Sequence, residues 1–140
     1  MTIYDLKPKF QQLLMPVVES CYKKGISPNQ VTISAIILSA IGGGIVLLSS
    51  TNHYLLWAIP VLLFIRMALN AIDGVLAKNY NQKSKLGAIL NELGDVISDT
   101  FLYLPFVYIL EPTAVICFVI LAILSEFAGV LMWAVYDERR

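Results

Sequence analysis

Over the first 24 positions apolar residues recur three and four apart. Ile3, Leu6, Phe10, Leu13, Leu14, Val17, Cys21 and Tyr22 fall at helical spacing, with Lys7, Lys9, Lys23 and Lys24 among them. This predicts an amphipathic helix over residues 1–24 in the plane of a membrane surface, bent or begun near Pro8 and Pro16. Gly25-Ile26-Ser27-Pro28-Asn29 then breaks the helix and turns the chain inward. Beyond that point the pattern changes to four continuous apolar runs, at about 31–50, 55–77, 86–109 and 113–135. Each is near the roughly 20 residues needed to cross a bilayer. Polar connections separate them: Thr51-Asn52-His53-Tyr54, the loop 78–85, and Glu111-Pro112. The expected architecture is an all-α integral membrane protein, one domain over residues 1–140, with an interfacial helix and about four transmembrane helices.

Composition strengthens this reading. Hydrophobic residues make up 58% of the chain and charged residues 14%, whereas soluble domains carry about 25% charged residues. The net charge of zero is uninformative as a total; no nucleic-acid partner is expected. The distribution of charge is more informative. Lys7, Lys9, Lys23 and Lys24 precede the first run, Lys78, Lys83 and Lys85 occupy the second loop, and Arg139 and Arg140 end the sequence. The other two loops hold no Lys or Arg, so the positive-inside rule places both termini in the cytoplasm. A bacterial-type cytoplasmic (inner) membrane is the expected location, with no secretory signal before the first run. Cys21 and Cys117 have no metal or CxxC spacing and read as packing residues. His53 reads as a solvated interfacial residue. In the first run Ala35, Ser39 and Gly43 are spaced by four, beside Gly42 and Gly44. Small residues so placed let helix backbones approach, so this face packs on a neighbouring helix or on a second copy in a homodimer.

The chemistry is concentrated between positions 70 and 99. Asn70 and Asp73 are three apart, and Gly87, Asn91, Asp95 and Asp99 follow every four residues, so each set forms a stripe along one side of a helix. A charged residue at the centre of a membrane helix costs about 2.5–3.5 kcal/mol on insertion scales. Three aspartates therefore need protein, water or cations around them. Asp73 is five residues from Lys78, roughly 7 Å of helix, so the stripes face a pocket open to the cytoplasm. Oxygen ligands without thiolate or imidazole suit hard cations such as Mg²⁺, Mn²⁺ or Ca²⁺. Such cations clamp a diphosphate, provided one carboxylate remains free to take a proton from the attacking group. Gly74 and Gly87 leave room beside the stripes, and Lys78 stands at the mouth, where its charge would offset that of a leaving group.

At these residues the chain resembles the CDP-alcohol phosphatidyltransferases, whose motif is D-x2-D-G-x2-A-R-x8-G-x3-D-x3-D. The same spacing runs here through Asn70, Asp73, Gly74, Ala77, Lys78, Gly87, Asn91 and Asp95 without insertion or deletion. Ser27-Pro28-Asn29-x2-Thr32 is similar to that family's Pro-Asn-x-x-Thr segment, and the resemblance covers roughly residues 25 to 110. It implies transfer of a phosphatidyl or similar substituted phosphate from a CDP-linked donor, such as CDP-diacylglycerol, to an alcohol. CMP is released, with Mg²⁺ or Mn²⁺ as cofactor. Carried over by position, Asn70, Asp73, Asn91 and Asp95 occupy metal-ligand positions, and Asp95 is also the general base. Asn29, Thr32, Gly74, Ala77, Lys78 and Gly87 would bind CDP.

The chain departs from that pattern at three motif positions. Two motif aspartates are asparagines, which removes two negative charges and points to altered metal use, with Glu92 and Asp99 as accessory acids. Lys78 replaces the motif arginine and lacks its planar fork. Family members usually carry six membrane helices against four runs here, so a partner or second copy is expected to supply the missing wall unless the sequence is a fragment. The second reading is a catalytically degenerate membrane scaffold subunit of a lipid-biosynthetic complex. A small ion conduit ranks last, because the acids are biased to the cytoplasmic half.

Overall fold

The structure, a computed structural model, describes residues 2–138. Arg139 and Arg140, counted above for the orientation, lie outside the described residues. Five α-helices follow in order: α1 (Ile3–Lys23), α2 (Pro28–Leu48), α3 (Ala58–Asn79), α4 (Lys85–Tyr103) and α5 (Pro112–Glu138). Short 3-10 segments at His53–Trp57 and Leu104–Tyr108 lead into α3 and out of α4.

The prolines of α1 do not begin it, because the helix runs from Ile3 through Pro8 and Pro16. A proline at position i frees the carbonyl of residue i−4, here Tyr4 and Gln12. Both lie on the exposed side, where water can satisfy them. The stop is built locally. Gly25 has a φ of 73°, and the Ile26 and Gly25 N–H groups donate to the carbonyls of Cys21 and Tyr22 at 2.9 and 3.0 Å, a Schellman closure. Ser27 and Gln30 then cap α2 reciprocally, and Pro28 takes its first turn.

The hub of the bundle is α2, packed against both α3 and α4. Ala35, Ser39, Gly42, Gly43 and Val46 form its buried face. At Gly43 an added Cβ would run into the Phe101 carbonyl oxygen of α4, so a glycine is required for this approach. The small-residue stripe is thus turned to neighbouring helices of the same chain. Two apolar clusters close the bundle. Val18, Val31, Ile72, Val75 and Leu76 join α1, α2 and α3, while Val46, Ile59, Leu62 and Leu102 join α2, α3 and α4. Stacked rings of Tyr22 and Tyr80, 3.8 Å apart, fasten the end of α1 to the end of α3.

Among the described residues three helical stretches, Pro28–Leu48, His53–Asn79 and Pro112–Tyr136, are long and apolar enough to cross a bilayer. The fourth expected run, 86–109, is shorter as a helix and more polar. Its α-helix ends at Tyr103, ahead of Pro105. Glu92, Asp95 and Asp99 lie within it. Those carboxylates, rather than any lack of length, set α4 apart from the others.

Candidate active site

A cavity of about 470 Å³ opens between the first turns of α2, the last turns of α3 and the start of α4. Asn29 and Thr32 reach it from α2, Asp73, Gly74 and Ala77 from α3, and Gly87 and Asn91 from α4. The loop before α4 adds Gln82, Lys83, Ser84 and Lys85. Asn81 enters that loop in the left-handed region, with a φ of 53°, and Ser84 caps α4 by accepting from the Gly87 N–H at 2.9 Å. A Cβ at Gly87 would lie 2.9 Å from Ser84 Oγ and 3.1 Å from Asn29 Oδ1. Glycine there lets the N-termini of α2 and α4 share one wall.

Asp73 is 5% exposed and accepts a hydrogen bond of 2.8 Å from the Thr32 hydroxyl. Thr32 is itself fixed one turn into α2, and its methyl group faces Gly94 of α4. Across the cavity, Asn91 Oδ1 is buried without a hydrogen-bond donor. A carboxylate and an unpaired amide oxygen on residues that line one cavity form an oxygen pair that suits a hard cation completed by phosphate and water. No three Asp, Glu, His or Cys side chains converge on a metal-sized site among the described residues.

Asp95 occupies a different environment. It lies one turn beyond Asn91, in the seam between α3 and α4 rather than on the cavity wall. Asn70 donates to Asp95 Oδ1 from Nδ2 at 3.0 Å. Arg66, one turn earlier on α3 and 8% exposed, places Nη2 3.7 Å from the same oxygen and 3.5 Å from the Asp95 backbone carbonyl. Its Nη1 pairs with Asp99 Oδ1. On the far side of Asp99 stands Glu126 of α5, whose Oε2 is buried without a donor.

The expected site residues thus fall into groups. Asn29, Thr32, Asp73, Gly74, Ala77, Gly87 and Asn91 line the cavity, and Asn70, Asp95 and Asp99 lie in the adjoining seam with Arg66. Lys78 is elsewhere. It is exposed in a second cleft with Gln11, Gln12 and Met15 of α1, and only Gly74 is common to both hollows. Glu92 is exposed outside both. Sequence reasoning assigned no site role to Lys83 and Lys85, the cations that line the cavity, or to Arg66. The signal for Arg66 was its position one helical turn before Asn70, on the same face.

The sequence pattern of the CDP-alcohol phosphatidyltransferase family matches residues 25–140. The chain belongs to that family. Divalent metals are general in the CDP-alcohol phosphatidyltransferases. Among its relatives, inner membrane protein YnbA of Escherichia coli is 48% identical over 99% of this chain and 70% of its own length. The archaetidylinositol phosphate synthase of Pyrococcus horikoshii is 35% identical over 67% of this chain and 47% of its own length. This phosphatidyltransferase-family chain therefore spans under half of that synthase. No solved structure gives a significant match.

Proposed function

We propose that the chain is a phospholipid-synthesising CDP-alcohol phosphatidyltransferase of a bacterial inner membrane, with its cavity and both termini on the cytoplasmic side. The donor is a CDP-linked lipid such as CDP-diacylglycerol, the acceptor an alcohol. The observation that carries this reading is the single cavity lined by Asn29, Thr32, Asp73, Gly74, Ala77, Gly87 and Asn91, drawn from three helices and matching the family pattern by position. The relative named as a synthase supports phospholipid synthesis as the process. In the bilayer α4 crosses as a fourth span, its 19 residues giving about 28 Å of helix.

Asp73 and Asn91 would hold Mg²⁺ or Mn²⁺, which when bound neutralises diphosphate charge and eases the departure of CMP. Thr32 keeps the Asp73 carboxylate turned to the cavity by donating to it. Lys83 and Lys85 bring positive charge to the loop side of the same cavity. The acceptor oxygen bonds to the phosphorus bearing the lipid group, the bond from that phosphorus to the CMP oxygen breaks, and the acceptor's proton goes to Asp95, so the acceptor must approach from the seam beyond Asn91.

Two asparagines in place of acids favour a second reading, a scaffold subunit that retains the cavity without turnover. Proteoliposomes carrying the chain, CDP-diacylglycerol, Mg²⁺ or Mn²⁺ and a panel of alcohols distinguish the two. CMP release is expected, with a loss of at least about a hundredfold in Asp73→Asn and in Asp95→Asn, as for removal of an essential charged group or base. Unchanged release in both variants overturns the transferase reading.

A further inference from the structure

Asn70 and Arg66 lie one turn apart on the same face of α3; Asn70 donates to Oδ1 of Asp95 at 3.0 Å, while Arg66 forms an ion pair with the same oxygen at 3.7 Å. Among the described residues no donor reaches Oδ2. The bond from Asn70 depends on residue type, because an amide nitrogen donates whereas an ionised carboxylate only accepts. An aspartate at position 70, as the family pattern has it, would set a second negative charge against Asp95. The guanidinium of Arg66 adds the compensating charge. It is nine-tenths buried and bridges Asp95 and Asp99, which are one turn apart on α4.

We infer that Asn70 and Arg66 form a clamp that orients Asp95, Asn70 holding Oδ1 by its hydrogen bond and Arg66 setting its charge beside that oxygen, with Oδ2 left to take the acceptor's proton. Asn70 is then a positioning residue fitted to Arg66 and not the remnant of a lost metal ligand. The inference rests on the transferase reading for the base role of Asp95. The clamp itself rests on geometry alone. A carboxylate gripped through both oxygens would be a poorer proton acceptor, whereas one gripped through a single oxygen keeps the lone pairs of the other. In this seam, a hydrogen bond from a fixed amide to the carboxylate and the nearby charge of a fixed guanidinium supply the geometric constraint.

The two accounts of Asn70 predict opposite results for one substitution. If position 70 is a degenerate ligand site, Asn70→Asp restores the family pattern and raises turnover or metal affinity. If it is a clamp, Asn70→Asp replaces a donor by a repelling charge. The test measures kcat and KM for CMP release in proteoliposomes with Mg²⁺, together with CMP binding by calorimetry, for Asn70→Asp, Arg66→Met and Arg66→Lys. The clamp predicts a tenfold or greater fall in kcat for Asn70→Asp and Arg66→Met. KM and CMP affinity should stay within about threefold, and Arg66→Lys should recover part of the loss. Solid-state NMR in bilayers supplies a readout apart from turnover: dephasing between asparagine side-chain ¹⁵N and aspartate ¹³Cγ, present in the wild type and lost in Asn70→Leu. Asn70→Asp turnover at or above that of the wild type, a loss confined to KM, or dephasing unchanged in Asn70→Leu overturns the clamp. A wild-type chain that releases no CMP while showing the dephasing overturns the transferase reading and the base role with it, and leaves the clamp as a structural bond only.

Discussion

Two helices of nearly equal oiliness have opposite fates in this molecule. The most apolar windows of α2 and α5 have mean hydropathies of 2.4 and 2.6, yet 39% of the first is buried and only 11% of the second. What separates them is side-chain size at helical spacing. Ala35, Ser39, Gly42 and Gly43 let α3 and α4 come against the α2 backbone, and Thr32 on the same helix is carried to Asp73. Along α5, bulky residues such as Phe118, Leu121, Leu124 and Leu131 stand exposed. In lipid no hydrophobic force draws helices together, so close packing and polar contacts decide which helix becomes the hub. Hydropathy identifies candidate spans; small residues decide which of them carries the site.

The glycine triplet Gly42-Gly43-Gly44 in the last third of α2 offers the strongest way to break this contrast. An alanine Cβ at Gly43 meets the backbone carbonyl of Phe101, which cannot rotate away. At Gly42 it meets side-chain methyls of Leu102 and Leu62 at 2.7 and 3.0 Å, and at Gly44 it meets nothing within 4 Å. Overpacking a tight contact costs about 1–3 kcal/mol. Gly43→Ala is therefore expected to lose about 3 kcal/mol of stability in denaturant titrations of the detergent-solubilised protein. Gly42→Ala should lose about 1 kcal/mol, since leucine side chains can shift, and Gly44→Ala close to none. Equal effects at all three positions would mean that helix approach does not set the hub.

The next effect sharpens the polar side of the comparison. Thr32→Val keeps the methyl that faces Gly94 but removes the donor to Asp73. Hydrogen bonds to charged groups are worth about 1.5–3 kcal/mol, so a loss of about 2 kcal/mol is expected. CMP release should fall with it, because Asp73 is no longer held toward the cavity. A variant that melts and turns over like the wild type would show that the helix packing alone positions Asp73.

Much of this arrangement was legible in the sequence, and the exceptions have physical causes. The apolar runs gave the helices, and the four-residue spacing put Gly87 and Asn91 on one face, where both meet the cavity with Asp73. Lys78 was expected at the mouth because only its depth was considered. Five residues after Asp73, it stands about 140° around the helix at 100° per residue, which turns it to α1. A helix start near the prolines of α1 was one expectation, but the start lies at Ile3, where Asp5 accepts from the Thr2 N–H at 2.9 Å. Arg66 could be flagged as an ionisable residue in a span. Its partners could not, because the register between α3 and α4 is set by packing against α2 and is not written in either helix alone.

The smallest expected effect lies on α5. Leu121 is 63% exposed, and a bilayer surrounds it with chains as apolar as itself. With most of the side chain outside the bundle, truncation to alanine there removes little packing. The expected change for Leu121→Ala is under about 0.5 kcal/mol, as for substitutions away from packed features. CMP release in proteoliposomes should be unchanged, since Leu121 lines neither the cavity nor the Arg66 seam. The measurement must be made in bilayers as well as in detergent, because only there is the face of α5 presented to its natural surroundings. A loss of about 2 kcal/mol or more, the range for truncating a buried leucine, would mean that protein rather than lipid covers this face. The contrast between the two helices would then be one of partners and not of side-chain size.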